Sequence, residues 1–436
     1  MKKTITLLLT IVLLCTCFSC HAQSTQNFTT TPVQPLWDAG EDRDKIVVIS
    51  DIHLGIDDSF SETAMNKKHL LSFLQQVAVT QDVRELVIAG DFLDEWYLPL
   101  DYPAYTDSSQ FYKDVIANNL DIFVAFRDVM AAGVTLVYVP GNHDLLLDSG
   151  VLEEALPGIV EARDVRGLGV YITGDRQEIA IEHGHRYDAF SAPDTITNAE
   201  LCGNDETMLP AGYFYARYAA GWVIQGRPHV ERNLPVITEM PDSSDTDQMG
   251  AYAYYKILES IAAHITPLEA LDQPVFDVHI AGFDDAYTFL DFYPARQPDG
   301  TISAPVLFRN LQRTWDERQE QNRVAVKFDF ITSVMGALDW QYFFNQAKAQ
   351  YLENPTSKVD VVVFGHTHVP VFETLADGKM YLNDGTWVDH NTNAPDAMRT
   401  FAVIKTGETN DADLCMFMED GSVVSIAESV QRTDTK

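Results

Sequence analysis

The sequence predicts an α/β protein, and three observations carry that prediction. Short apolar, β-branched runs each stop at a polar cluster, helical patterns separate the first of these runs, and strand-like runs return near the end. Strand, helix, strand, helix implies a buried sheet with right-handed crossovers, and in such sheets ligands collect at the carboxyl ends of the strands.

The runs come in a fixed order. "KIVVIS" precedes Asp51, "ELVIAG" precedes Asp91, "TLVYVP" precedes Gly141-Asn142-His143-Asp144, "EIAIE" precedes His183 and "DVVVFG" precedes His366. In "SDIHLG" an extended chain would point Asp51 and His53 to the same face, where both can meet one metal ion. Helical patterns cover Met65 to Thr80 and Ser109 to Ala132, the second closed by Gly133. After Asp188 the rhythm changes. "GYFYARYAAGWVIQG", "YAYYKILESIAAHI" and "FDFITSVMGALDWQYFFNQAKAQYL" are helix-like, and "PDSSDTDQ" is an acidic linker. They predict an inserted helical region that either packs on the core or covers a substrate. Tyr213, Phe214 and Tyr215 in it either line an apolar pocket for a lipid or nucleoside or simply pack between helices. After "GHTH" come the short strands "KMYLNDG", "TFAVIK" and "LCMFMEDG".

A chain of 436 residues, 46% of them hydrophobic, can bury a large core. Its formal net charge of -34, from 64 acidic against 30 basic residues, argues against a nucleic-acid groove held together by phosphate contacts. Any anionic substrate must be gripped locally, by metal ions or a small basic pocket. The start, "MKKTITLLLTIVLLCTCFSCHAQS", has two lysines, an apolar stretch from Ile5 to Leu14 and then small residues, the layout of a secretory signal peptide. It predicts an exported protein, periplasmic, on the cell surface or secreted. Cys20 is a candidate lipidated first residue and membrane anchor, although "CFSC" lacks the usual leucine three residues before it, and cleavage after Ala22 is the alternative. With Cys15, Cys17 and Cys20 in this segment, only Cys202 and Cys415 remain for the folded part, which is no disulfide framework.

Hydrolysis of a phosphoester pits one anion against another, so positive charge is needed on both the attacking oxygen and the phosphoryl group. Two divalent ions bridged by a carboxylate supply it, and a mixed imidazole and oxygen donor set suits Mn, Fe or Zn better than Ca or Mg. The five clusters here are Asp51-x-His53, Gly90-Asp91, Gly141-Asn142-His143-Asp144, His183-Gly184-His185 and Gly365-His366-Thr367-His368. In that order they resemble the signature of the calcineurin-like metallophosphoesterase family, over residues 45–185 and 359–405.

The resemblance implies a four-layer α/β/β/α sandwich with a large, mainly helical insertion, and a hydroxide nucleophile bridging two divalent metal ions. Position by position, it implies that Asp51, His53 and His368 hold one ion, that Asp91 bridges, and that Asn142, His183 and His366 hold the other. His143 would stabilise or protonate the leaving oxygen, oriented by a hydrogen bond to Asp144. His183 is the expected isolated ligand, with His185 as the alternative ligand or a phosphate contact. Arg186 is either a phosphate grip or an exposed arginine. "GDFLDEW", with Asp94 and Trp96, and "GHTHVP", with Pro370, resemble the UDP-diacylglucosamine pyrophosphohydrolase branch, as does His183 in the place of that branch's H-G-D segment, where His185 stands instead of the aspartate. Asn383-Asp384-Gly385-Thr386-Trp387 resembles the turn after the last metal histidines, with Trp387 either core or site wall. The expected organisation is a signal peptide at 1–22, a phosphoesterase domain in two parts at 36–188 and 358–430, and the insertion at 189–357. The expected substrate is a phosphorylated small molecule or lipid. A non-catalytic, surface-anchored binding or scaffold protein on the same fold is the alternative.

Overall fold

Alternate residues of the central strands fall into different apolar clusters, and this alternation builds the layers. In the strand Lys45–Ile49, Val47 and Ile49 join one cluster while Ile46 and Val48 join another. Ile179 and Ile181 share that second cluster, whereas Ala180 enters a third with Val362 and Phe364. The second cluster is therefore the seam between two sheets, and the first and third are the helix-covered outer faces. The result is the expected mixed α/β, four-layer arrangement. Each fully buried Val, Leu or Ile contributes about 1.5–3 kcal/mol relative to exposure.

The computed structural model describes residues 31–32, 37, 40–203, 207–337, 339–391 and 394–431. The expected signal peptide, with Cys20 and Ala22, lies outside these residues. No helix among the described residues is long and apolar enough to cross a membrane.

One sheet runs in the order Thr31–Pro32, Val423–Ser425, Asp411–Phe417, Thr400–Lys405, Lys45–Ile49, Val83–Ala89, Thr135–Val139, Val160–Glu161. Its last four strands are parallel and the others antiparallel. The other sheet runs Val371–Thr374, Met380–Asn383, Val361–Phe364, Ile179–Ile181, Tyr171–Thr173, with a parallel centre and antiparallel edges. A strand from each half of the phosphoesterase-like sequence thus pairs with strands from the other half. The carboxyl ends of Lys45–Ile49, Val83–Ala89, Thr135–Val139, Ile179–Ile181 and Val361–Phe364 carry all five polar clusters.

Two expected helices differ from the structure. Met65 to Thr80 is a helix at Lys67–Val79. Ser109 to Ala132, expected as one helix, is two, Ser108–Asn118 and Leu120–Ala131. The break is at buried Asn119, whose amide donates to Gly55 O at 2.9 Å and Val115 O at 2.7 Å and so ties the helix end to the loop beyond His53.

Between the strands Ile179–Ile181 and Val361–Phe364 the chain is helical but not only helical. Ala211–Ile224, Thr246–His264 and Leu311–Gln321 are helices, and Phe276–Val278 with Asp285–Tyr287 and Ala295–Arg296 with Ile302–Ser303 are antiparallel hairpins that periodicity did not reveal. The "FDFITSVMG…" stretch is Phe330–Gly336, Trp340–Ala347 and a π turn at Lys348–Leu352, interrupted where Asp339 caps the second piece by accepting from Gln341 N. Tyr213 and Phe214 are buried in the aromatic core of this region, and Tyr215 bonds Tyr254 OH at 2.8 Å, so these side chains serve packing.

Candidate metal centre

The strand ending at Ile49 does not run on extended. Asp51 and His53 adopt φ of 51° and 50°, so their convergence comes from a left-handed backbone and not from the two-residue period of a strand. Asp91, His366 and His368 are also left-handed, with φ of 49°, 71° and 57°. Such backbone costs about 1–3 kcal/mol per residue and persists only where surrounding structure holds it. Here the clamps are backbone hydrogen bonds: Ile52 N and His53 N donate to Asp91 O, each at 2.9 Å, and Trp387 N donates to Asp51 O at 3.0 Å. Trp387 is core, in the same cluster as Phe73 and Phe401.

Two motif glycines admit this crowding. A Cβ on Gly141 would lie 2.1 Å from Asp91 N, and one on Gly365 would lie 2.6 Å from Asp51 Oδ2.

Three groups of side chains converge among the described residues, one of them His53, Glu62, Asp94 and His143, and the other two made of expected ligands. Asp51, His53 and His368 offer ligand atoms within 4.8 Å of one another, and so do Asp91, His183 and His366. Asp91 stands between them: its Oδ2 lies 3.1 Å from His183 Nε2 and 3.6 Å from His53 Nε2, while its Oδ1 accepts from His143 N at 2.8 Å. Asn142 Oδ1 lies 3.1 Å from His183 Nε2 and joins the second group. His185 is outside both, buried, with neither ring nitrogen hydrogen-bonded, its ring 5.3 Å from that of His183.

The outer nitrogens fix the tautomers. His183 Nδ1 donates to Ala89 O at 2.9 Å, and His53 Nδ1 faces Asp94 Oδ2 at 3.0 Å and Glu62 Oε2 at 3.3 Å. His53 Nε2 lies 3.2 Å from His368 Nε2. With its Nδ1 donating, His183 presents the lone pair of Nε2 to two acceptors, Asp91 Oδ2 and Asn142 Oδ1, each at 3.1 Å. Acceptor facing acceptor at such distances requires a cation or a proton between them. The donor set therefore fits metal ions held by imidazole and oxygen.

Electrostatics agree. Burial opposes charge on His183, yet Asp91 and then Asp51 overcome it and raise its pKa to about 9. Burial likewise opposes charge on His53, and hydrogen bonds to Asp51 and Asp94 with the charge of Glu62 hold it well above its ordinary value. For Asp91 burial favours the neutral acid, but the histidines His183 and His143 hold the carboxyl far below the usual range. The pocket draws in positive charge.

Two expectations need correction. The partner of His143 is Asp94, whose Oδ1 lies 2.8 Å from His143 Nδ1. Asp144 is instead buried beneath the loop and accepts from Phe92 N, Leu93 N and Gly141 N at 2.8, 3.4 and 2.7 Å. Its carboxylate turns the backbone, because strand ends leave N–H groups without partners. Arg186 is neither exposed nor free for phosphate: it is buried and bonded to Glu182, Asp164 and Asn322 O.

Glu62 and Asp188 went unnoticed in the sequence. Glu62 sits in a loop with no motif spacing, and Asp188, whose Oδ2 lies 3.1 Å from His366 Nε2, follows the His183 cluster just before the region at 189–357. Asp94 had a usable signal, its spacing of three residues after Asp91.

Residues 44–213, under half of the chain, match the family model described as calcineurin-like phosphoesterase. No curated protein matches. Among solved structures, the chain is similar to a dimetal phosphatase from Danio rerio, with 12% identity and a TM-score of 0.34 over 89% of this chain and 99% of that one. It is also similar to phosphopantetheinyl hydrolase from Mycobacterium tuberculosis, with 13% identity and a TM-score of 0.24 over 79% and 90% of the two chains. At these scores the two likenesses say nothing of what this chain acts on.

Proposed function

We propose that this protein is a metal-dependent phosphoesterase with two divalent ions, Mn, Fe or Zn, in the centre described above. The observation that carries the reading is Asp91, a single carboxylate standing between two separate imidazole and oxygen groups. Asp51, His53 and His368 would hold one ion, Asn142, His183 and His366 the other, and Asp91 both. Bound there, the ions would supply positive charge to the phosphoryl oxygens and make water acidic enough to serve as hydroxide near neutral pH.

The remaining work falls to the chain itself. His143 has its Nδ1 tied to Asp94, so Nε2 is the atom that can hand a proton to the leaving oxygen. Burial opposes its charge, but Asp94 and then Asp91 raise its pKa and so favour the imidazolium. Asp94 holds the ring and offsets the charge, as a carboxylate does for a catalytic histidine. Asn142, being neutral, ligates without cancelling the positive charge that the substrate meets.

The substrate we propose is a phosphorylated small molecule or lipid, cleaved at a phosphate ester or pyrophosphate bond. The first residues of the sequence support export, with Cys20 as an anchor or Ala22 as the cleavage point, and the region at 189–357 is proposed as an insertion in a domain formed by 36–188 and 358–430. Metal analysis together with release of 4-nitrophenol from bis(4-nitrophenyl) phosphate tests the reading. Two equivalents of metal and chelator-sensitive turnover are expected. Metal binding with no turnover of mono-, di- or pyrophosphate esters would point to the scaffold alternative.

A further inference from the structure

The proposed proton donor is stacked on a tryptophan that belongs to the core of the helical region. Trp96 and His143 have ring centroids 4.7 Å apart and planes inclined by 28°. Trp96 is only 2% exposed, and with Leu100 it lies in the cluster built by Tyr213, Phe214, Tyr218 and the aromatic residues of the hairpins. On its far side Tyr213 meets it edge-on at 6.1 Å. The helix Ala211–Ile224 touches the same ring through Gly212, where a Cβ would come within 3.3 Å of Trp96 Cζ3 and 2.7 Å of Phe190 O. Arg217 of that helix donates to Tyr213 OH at 3.0 Å and to Pro99 O at 3.3 Å, fixing helix and tryptophan loop together.

The backbone on the near side is equally constrained. Trp96 N donates to Asp94 Oδ1 at 2.8 Å, the same oxygen that meets His143 Nδ1, and Glu95 N donates to His143 O at 3.1 Å. His143 thus has one edge on Asp94 and one face on Trp96. An indole face attracts an imidazolium more than a neutral ring. A ring held in one orientation also loses less freedom when it engages the leaving group.

We infer that Trp96 is a positioning residue for His143, and that the helical region acts on the leaving-group step through the contact of Gly212 and Tyr213 with that tryptophan. The inference rests on the phosphoesterase reading for its catalytic part, but the positioning itself does not depend on turnover.

The test has two arms, run on Trp96→Leu, Trp96→Phe and Gly212→Val in the zinc-loaded protein. In the first, NMR reads the His143 ring protons. Stacking on indole shifts them upfield in the wild type; Trp96→Leu should abolish the shift, Gly212→Val should reduce it, and Trp96→Phe should keep most of it. In the second, kcat is compared on ethyl 4-nitrophenyl phosphate and ethyl phenyl phosphate and on the corresponding monoesters. Trp96→Leu and Gly212→Val should lose about tenfold more on the phenyl esters, with KM and metal content unchanged. Trp96→Phe should restore most of that difference. Wild-type His143 protons without an upfield shift, or a Gly212→Val protein with both readouts unaltered, would overturn the inference. Should the wild type hydrolyse none of the esters, the proposed function falls, while the NMR arm still decides the positioning. Should Trp96→Leu not fold, Gly212→Val and Trp96→Phe decide both arms.

Discussion

Asp94 Oδ1 lies 2.8 Å from His143 Nδ1, and the other oxygen of the same carboxylate lies 3.0 Å from His53 Nδ1. One side chain therefore orients both a proposed metal ligand and the proposed acid. Asp94→Asn should reduce kcat by about 10–100-fold, chiefly on esters with poor leaving groups, and weaken the ion near His53 by a similar factor. A leaving-group series with parallel metal titrations checks both effects. Equal losses on activated and unactivated esters would argue against an acid role for His143.

Asp144 gives the contrasting outcome. With three backbone N–H groups on its buried carboxylate, Asp144→Ala should cost about 1–3 kcal/mol of stability, seen as a lower denaturation midpoint. The leaving-group dependence of the surviving enzyme should match the wild type. A changed slope with unchanged stability would return Asp144 to the catalytic machinery.

Asp91→Asn should weaken both ions and abolish turnover while the fold survives, because an Asn oxygen can still accept from His143 N. Metal content per chain and circular dichroism report the two halves of this outcome. Near-normal turnover would remove the bridging role.

Asp188→Asn should be selective. Asp188 meets His366 Nε2 at 3.1 Å, so its loss should weaken the second ion by about 10–100-fold and leave the first in place. Electron paramagnetic resonance of the manganese form should change from a coupled pair to a single ion. Loss of both ions together would show that Asp188 supports the whole pocket and not one ligand.

Glu95 sets a pH dependence of stability. Burial raises its carboxyl from 4.5 to about 7, against the hydroxyls of Tyr105 and Tyr112, which donate to it at 2.9 Å each. The folded state therefore binds this proton more tightly than the unfolded chain. Its contribution is complete below pH 4.5 and is lost as the pH rises through about 7. Glu95→Gln should stabilise the protein at pH 8, by up to about 3 kcal/mol, with the gain shrinking toward pH 4. Denaturant melts at the two pH values decide it, and a gain that does not vary with pH would refute the burial argument.

The strands and the five polar clusters at their ends were legible in the sequence, because apolar β-branched runs and fixed motif spacings are local properties. The layering was also local in origin, since a period of two buries both faces of each strand. The hairpins inside the helical region were not legible because their strands are only two or three residues long and leave no alternation to read, and the break at Asn119 was not because a hydrogen bond to distant Gly55 O decides it. The same holds within the site. Chain order names Asp51, His53 and Asp91, but left-handed backbone clamped by the neighbouring strand loops brings them together. The family resemblance implied Asp144 as the partner of His143, and the fold gave that contact to Asp94, 49 residues away, because the carboxylate next in the chain was already engaged by backbone N–H groups. Residue type and spacing fix what chemistry is possible; only the packing of loops from separate strands decides which oxygen meets which nitrogen.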